Sequence, residues 1–448
     1  MSCSAGVRWG VAVLVLVIAA SACGVDGEWT TDAGGAPDAG GAPDAGCLGA
    51  CGSHEGLVEG VRGWYLAGDA LTPSDRLVIR VRDLTVAHLR ATLDGADFGD
   101  LVPIGVGLGL DRALDGVPTG DHELALHADG ETSPYATMHF RRSHPLYVIV
   151  SNDWDTADTT DVQLAAEDDL HGLHPALVIT HLVGPYTFTD PAVSAPRVAL
   201  LVDWLTRARD EHGDEIGLHI HPYCNFVEAA GLACHTTPQY AASTRGAGYT
   251  VPCTAYDEAD FGTLLRTADA LFMAHGLGKP TSFRAGAWIL GLQTLRALEA
   301  NGYVVDTSAA NWRRLEEWRG VPGTTLYSTT MSIWSPIDEH SQPYYPADDD
   351  LTAPGATSIG ILEAPDNGIL ADYVTAAEMI EMLGAVWDGG PLDSPRAYSI
   401  GYHPVSLPGQ NYVRIDDTLR ELDLHLATDD AGPIVYARLS DLARVWPR

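Results

Sequence analysis

From Leu146 onward the chain repeats one unit, a short run fit for a buried strand followed by a stretch with apolar residues at helical spacing. The candidate strands are 146–150, 177–180, 215–219, 281–284, 303–306, 359–363, 398–403 and 434–437. Amphipathic helical patterns at 197–209, 261–275, 292–300, 376–387 and 418–427 lie among them. About eight such units in roughly 300 residues argue for an α/β fold in which parallel strands close into a (β/α) barrel.

The chain ahead of this repeat follows other rules. Between 54 and 144 the runs are short and alternating, with Leu77, Ile79 and Val81 on one face, and are punctuated by Asp94-Gly95, Asp115-Gly116 and Asp129-Gly130. This predicts a small immunoglobulin-like β-sandwich that binds sugar, acts as a spacer or covers one edge of the barrel; spacer or packing partner is the favoured reading. Residues 24–53 hold two copies of Ala-Gly-Gly-Ala-Pro-Asp, at 33–38 and 39–44, and read as a flexible linker.

Residues 1–23 read as an export signal, with Arg8 followed by an apolar run at 11–20 that is too short to span a bilayer. Ala20-Ser21-Ala22-Cys23 resembles a bacterial lipobox, which implies cleavage before Cys23 and a lipid on its sulfur; plain cleavage after an A-x-A-like site is the alternative. The expectation is an exported lipoprotein of the bacterial cell envelope, a soluble body tethered to a membrane through Cys23. With Cys3 in the signal and Cys23 lipidated, five of the 7 cysteines remain, Cys47, Cys51, Cys224, Cys234 and Cys253. They lack the paired spacing of a structural zinc site and read as disulfide material of open connectivity. Asp and Glu number 60 against 26 Lys and Arg, a formal charge of −34, so nucleic acid is excluded as a partner.

Candidate strands of the repeat end in residues foreign to a core: Asp153-Trp-Asp155, His219-Ile-His221, Arg284-Ala-Gly, Asp306-Thr-Ser and His403-Pro. In a parallel barrel these ends meet around one mouth. Asp155 with His219 and His221 supplies one hard oxygen and two imidazoles, a three-ligand set that leaves zinc an open position for water. Residues i and i+2 of an extended strand project to the same side, and Pro222 favours extension at His221. Asp153 is then a candidate base steadied by Arg284, and His403 a candidate acid with Asp306 available to hold its imidazole. This is the equipment of metal-assisted hydrolysis rather than Ser or Cys acyl transfer.

Over about 145–448 these segments resemble, in order, the motifs of the NodB-type polysaccharide deacetylases, carbohydrate esterase family 4. Asp153-Trp-Asp155 is similar to the first motif, Glu215-Ile-Gly-Leu-His219 to the start of the second, Phe283-Arg284-Ala-Gly-Ala-Trp288 to the third, Val305-Asp306-Thr-Ser to the fourth and Gly401-Tyr-His403-Pro to the fifth. The resemblance implies a distorted (β/α) barrel, a divalent metal such as zinc on Asp155 and the histidines, Asp153 as base, Arg284 steadying it and His403 protonating the leaving amine. It departs in two places. The family's second histidine stands four positions after the first, where this chain has Tyr223, and the segments 224–256 and 309–358 are long for a compact barrel. Neutral phenol is a poor zinc ligand, so Tyr223 is expected not to coordinate. Trp312, Trp318, Trp334, Tyr344 and Tyr345 are read as packing rather than sugar platforms, and His171, His174, His181 and His235 rank below His221 as ligands. The reading is a hydrolase that removes N-acetyl, less readily O-acetyl, groups from an envelope or extracellular polysaccharide; a non-catalytic carbohydrate-binding lipoprotein on the same barrel is the alternative.

Overall fold

The computed structural model describes residues 49–51 and 55–448, apart from 69 and 74. The export signal, Cys23, the linker up to residue 48 and the side chains of Cys47 and Cys51 lie outside the described residues. Among the described residues no helix is long and apolar enough to cross a membrane.

Eight strands pair in parallel: β1 (Leu146–Asp153), β2 (Ile179–Val183), β3 (Glu215–Ile220), β4 (Ser282–Ala285), β5 (Val305–Asp306), β6 (Leu362–Glu363), β7 (Arg396–Tyr402) and β8 (Ile434–Tyr436). Their order is β6-β5-β4-β3-β2-β1-β7. Strand β8 pairs with the start of β1, Leu146↔Ile434 to Val148↔Tyr436, and β2 takes over that edge from Val150↔Ile179. Every residue of β1, β2 and β3 is buried, as strands covered on both faces require.

The sheet is the (β/α) barrel that the alternation predicts, distorted as the family resemblance implies, and its distortion has a location. Between β6 and β7 the ladder is replaced by the irregular chain that follows β6. Ala364 N–H donates to Asp306 O and Asp366 N–H to Ala309 O on one side, while Gly368 N–H donates to Ser399 O and Ala371 N–H to Gly401 O on the other, all at 2.8 Å. Glycine at 401 helps to allow so close an approach, because a Cβ there would lie 2.8 Å from the Leu370 side chain of the closing segment. The segment therefore carries side chains to the mouth as a strand end would.

Seven helices, α1 (Asp161–Leu173), α2 (Ala195–Arg207), α3 (Glu258–Ala274), α4 (Leu292–Ala300), α5 (Ala376–Val386), α6 (Tyr412–Asp423) and α7 (Leu439–Val445), flank the sheet. Helix α1 escapes the sequence reading because its inward face carries Gln163, Glu167 and His171 among the apolar residues, which blurs the stripe. The long segments between the later strands carry two further helices, Cys224–Ala229 and Leu326–Ile333. Cys224 is disulfide-bonded to Cys234, and Cys253 is a buried free thiol.

Ahead of the barrel two sheets, antiparallel except where Trp64–Leu66 pairs in parallel with Ala136–Ser143, share a core of Leu77, Ile79, Val81, Leu89, Leu124, Leu126, Met138 and Phe140. The hairpin between Leu89–Leu93 and Ala96–Asp100 turns on Asp94 (φ 50°) and Gly95 (φ 78°), the paired positive values of a type I′ turn. The sandwich meets the barrel through Trp64, which is 3% exposed and packs in the barrel's own core. Asp430 accepts from the backbone N–H groups of Gly63 (2.6 Å) and Trp64 (2.8 Å), and Arg62 lies 3.4 Å away. Asp430 itself is left-handed (φ 60°), a conformation that Asn tolerates. Asp430→Asn is therefore expected to lower the unfolding free energy by about 1–3 kcal/mol through the lost charge-assisted hydrogen bonds; an unchanged denaturant midpoint would show that burial of Trp64 alone holds this seam.

Candidate active site

The ends of four strands, β1, β3, β4 and β7, with the closing segment, surround a cavity of about 450 Å³. At its floor His219 Nε2 lies 3.1 Å and His221 Nε2 3.2 Å from the same oxygen, Asp155 Oδ1. All three side chains are buried. His219 is the penultimate residue of β3 and His221 follows its end, and the two rings sit 4.9 Å apart at 76°. The i, i+2 spacing thus puts both imidazoles on one side. Gly286 makes room for them, since a Cβ there would meet His221 Nδ1 at 2.6 Å.

The second nitrogen of each ring settles what the first can do. His219 Nδ1 lies 3.0 Å from Arg284 O and His221 Nδ1 2.8 Å from Tyr249 O, and a carbonyl can only accept. Both Nδ1 atoms therefore carry the hydrogen, and the neutral rings turn bare Nε2 lone pairs toward a carboxylate oxygen. Burial holds His221 below its ordinary pKa, in keeping with the neutral form. Three electron-pair donors aimed at one point fit a divalent metal of the zinc class.

Tyr223 does not join this set. Its hydroxyl donates to the backbone oxygen of Asp155 at 2.9 Å, and burial pushes its pKa above the ordinary value. The sequence reading missed Tyr249, which grips two ligands at once: its carbonyl accepts from His221 and its hydroxyl donates to Asp155 Oδ2 at 2.5 Å, with its ring stacked on His221 at 4.3 Å. The segment 224–256 offers no strand pattern or motif to mark it.

On one side of the metal set stands Asp153, at the end of β1. Arg284 Nη1 donates to Asp153 Oδ1 at 3.0 Å, Nε donates to Thr307 O at 3.0 Å, and Nη2 lies 3.3 Å from Asp366 Oδ2. The guanidinium is fully buried between two carboxylates. Burial pushes Asp366 up to about 6, with Arg284 pulling it down and Asp153 adding to the rise. Trp288 Nε1 also donates to Asp366 at 3.0 Å, from a backbone left-handed at both Ala287 (φ 58°) and Trp288 (φ 57°). Such strain persists only where the surroundings over-determine it, here through Asp366 and the Trp334 indole on Trp288 O at 2.8 Å. Asp366 follows strand β6, so the same reading of polar strand ends would have found it.

On the other side His403 faces the cavity, and here the structure corrects the expected pairing. The partner of His403 is Asp372, not Asp306. His403 Nδ1 lies 3.0 Å from Asp372 Oδ2, its backbone N–H donates to the same oxygen at 3.1 Å, and Ser406 Oγ donates to Oδ1. Burial disfavours the charge of His403, but Asp372, then Asp155 and Asp153, outweigh it and push the pKa up to about 10. Nε2 faces Asp155 Oδ2 at 3.7 Å. Asp306 is turned inward instead, accepting from Ser308 Oγ at 2.9 Å and Ser308 N–H at 3.2 Å, beside Glu363. Burial and the neighbouring Asp306 charge raise Glu363 far above its ordinary value, so Glu363 is the acid of that pair and carries its proton. A strand two residues long ends before its Asp reaches the mouth, whereas Asp372 rides on the closing segment.

The lower-ranked histidines lie elsewhere. His171 and His181 both meet Asp214 at 2.9 Å, His174 bridges Asp423 and Asp416, and His235 packs on Tyr256. Both long segments wall the cavity, with Tyr240, Arg245 and Tyr249 from the first and Glu317, Trp318 and Leu326 from the second. Of the aromatics expected to pack, Trp334 is fully buried and Trp318 lies in the cavity wall.

No protein-family model matches the chain, and no curated protein matches it in sequence. Solved structures that share features of it include a Mycobacterium smegmatis protein assigned to the polysaccharide deacetylases, with 16% identity, 67% of this chain and 89% of that one covered, and a TM-score of 0.40. A family 4 carbohydrate esterase of Streptomyces lividans, solved with acetate, has 11% identity, 68% and 96% coverage and a TM-score of 0.32. A family 4 acetyl xylan esterase of Clostridium thermocellum, solved with a cobalt ion, has 13% identity, 67% and 91% coverage and a TM-score of 0.31. These are loose likenesses of part of the chain.

Two outcomes follow from the geometry. Tyr249→Phe keeps the ring and the carbonyl but removes the bond to Asp155, and is expected to weaken zinc binding about 10- to 100-fold in a competition titration while the metal-free protein melts as before; unchanged affinity would take Tyr249 out of this role. Asp372→Asn removes the first carboxylate that raises His403, so the alkaline limb of the pH–rate profile should move to lower pH. Asp306→Asn should leave that limb in place, and the reverse pattern would restore the His403–Asp306 pairing.

Proposed function

We propose that the chain is a metal-dependent hydrolase that removes acetyl groups from the nitrogen of a glycan. One observation carries this reading: the Asp155, His219 and His221 set shares one cavity with a carboxylate fixed by arginine and an imidazole fixed by aspartate. The motif resemblance to the NodB-type deacetylases supports the same class. A divalent ion, zinc in the first instance, would be held by Asp155 Oδ1 and the Nε2 atoms of the two histidines, and when bound supplies Lewis acidity toward an acetyl carbonyl and toward water.

The chain's own groups handle the protons. Asp153, oriented by the Arg284 guanidinium at 3.0 Å, accepts the proton of the attacking water. His403, with its pKa raised to about 10, is protonated at neutral pH and gives its Nε2 proton to the departing nitrogen, while Asp372 fixes Nδ1. An amine is a poorer leaving group than an alcohol and needs that proton more, which favours N- over O-deacetylation. A pure sugar-binding barrel has no use for a base and an acid in the same cavity as a ligand set. An envelope location with a lipid on Cys23 belongs to the same proposal and rests on the lipobox-like sequence.

With zinc restored, the protein is expected to release acetate from N-acetylglucosamine oligomers. Asp153→Asn should retain the metal and lower kcat by roughly two to four orders of magnitude, the scale of general-base loss. Near-normal turnover in that variant would remove Asp153 from the role of base.

A further inference from the structure

The walls of the cavity hold four carboxylates, Asp153, Asp155, Glu317 and Asp372, and among the described lining residues one lysine or arginine, Arg245. Two of those carboxylates have cations of their own, Asp153 in Arg284 and Asp372 in His403. Arg245 has Asp155 as its ion-pair neighbour: its guanidinium stands 5.1 Å over the ring of Tyr249 and 3.6 Å from Asp155 Oδ2, longer than a hydrogen bond, and among the described residues none accepts a hydrogen bond from its side chain. The side chain is 35% exposed.

The chain puts this group in place at some cost. Arg245 N–H donates to Ser243 Oγ at 3.1 Å, and Gly246 (φ 152°) and Gly248 (φ 87°) turn the loop so that it clears the Tyr223 ring and the backbone of Pro222. A Cβ on Gly248 would lie 2.1 Å from Pro222 O. Tyr249 then serves as a shelf that holds the planar guanidinium beside the open side of the metal set. A divalent ion held by Asp155 would share that carboxylate's charge and leave the fork of N–H donors on Arg245 facing the cavity for a further anion. In a protein with 34 more acidic than basic residues, whose surface repels anions, a cation kept in this one place selects for an anion there.

We infer that Arg245 is a specificity residue for a carboxylate on the substrate, so that the glycan is an acidic one, with the carboxylate on the acetamido sugar or its neighbour. A guanidinium pairs with a carboxylate through two parallel hydrogen bonds, which fixes orientation as well as charge. Trp318 and Tyr240, also in the walls, supply the apolar surface that a sugar ring needs beside it. This inference rests on the deacetylase reading for the reaction, but not for the binding.

Three oligomers of equal length test it: a neutral N-acetylglucosamine oligomer, the same oligomer oxidised to a carboxylate at C6, and one with lactyl ethers on O3 of alternate sugars. Binding is measured by calorimetry on the zinc-loaded Asp153→Asn protein, and acetate release on the zinc-loaded protein with Asp153 intact. One of the acidic oligomers is expected to bind about 10- to 100-fold tighter than the neutral one, the scale of a charged hydrogen-bonded pair. Arg245→Ala should erase that difference by raising KM for the acidic oligomer, with kcat and the neutral oligomer unaffected, and Arg245→Lys should restore part of it. No preference for either acidic oligomer, or a preference that survives Arg245→Ala, overturns the inference. So does an equal loss on neutral and acidic oligomers, which would make Arg245 a support for Asp155. If no oligomer releases acetate, the hydrolase reading falls, and the calorimetry still decides the role of Arg245.

Discussion

Two bare imidazole nitrogens and a carboxylate oxygen pointed at one spot, out of contact with bulk water, are the constraint around which the rest of the mouth is arranged. Left alone they repel, and a buried charge without a partner is among the costliest things a fold can hold. Each ligand is therefore gripped from behind: His219 by the carbonyl of Arg284, His221 by that of Tyr249, and Asp155 by the Tyr249 hydroxyl. The same logic propagates outward. Arg284 is itself fully buried, which is tolerable because Asp153 and Asp366 flank it and Thr307 takes its Nε–H. Asp366 is in turn held by the Trp288 indole, and that contact helps keep two consecutive residues in the left-handed region.

A comparison within the molecule shows that ligand types alone do not make such a site. His171, His181 and Asp214 match the Asp–His–His set in composition and burial. There, however, the surrounding partners are themselves interior groups: Asp214 Oδ1 accepts from Ile179 N–H at 2.9 Å, and His181 Nδ1 meets Asn152 Oδ1 at 3.1 Å, which also takes the Trp154 indole at 3.2 Å. Asn152 Nδ2 donates to Glu167 at 2.9 Å, so its Oδ1 is fixed as an acceptor and His181 must donate to it. The network runs through the packed interior instead of opening on the mouth cavity. Its place is on the opposite face of β1 from Asp153, as the alternation of a strand requires.

How much of this was legible in the sequence follows from which residues sit on regular strands. Asp153, His219 and Arg284 terminate or nearly terminate fully buried strands of 8, 6 and 4 residues, so their direction could be read from the run before them. His221 could be read from the two-residue period and from Pro222. The failure at Asp306 has the opposite cause: its strand spans two residues, Val305–Asp306, and the side chain of so short an element is aimed by its neighbours Ser308 and Glu363 rather than by a pleat. Asp372 was out of reach because it rides on the irregular chain that replaces the missing ladder between β6 and β7. Nothing in its local pattern shows that Gly368 and Ala371 are bonded to β7.

The long insertions show why a motif can lose a ligand and keep its geometry. Where the resembled family has its second histidine, four residues after the first, this chain has Tyr223, whose hydroxyl points at the backbone of Asp155 rather than at the ligand set. Moving the histidine to position 221 brings it onto the strand's extended end, where a free imidazole would be able to rotate. The segment that follows supplies what the shift removed. Tyr249 lies under His221 as a stacked ring and accepts its Nδ1–H, and Tyr240 comes within 3.3 Å of the same nitrogen. That segment is fastened at its start by the Cys224–Cys234 disulfide and farther along by the second insertion, where Ala241 pairs with Thr324 and Thr325 N–H donates to Tyr240 O at 2.6 Å. Both insertions thus have a mechanical role, since the wall they form fixes the ring of His221. The same wall then decides what else can enter the mouth.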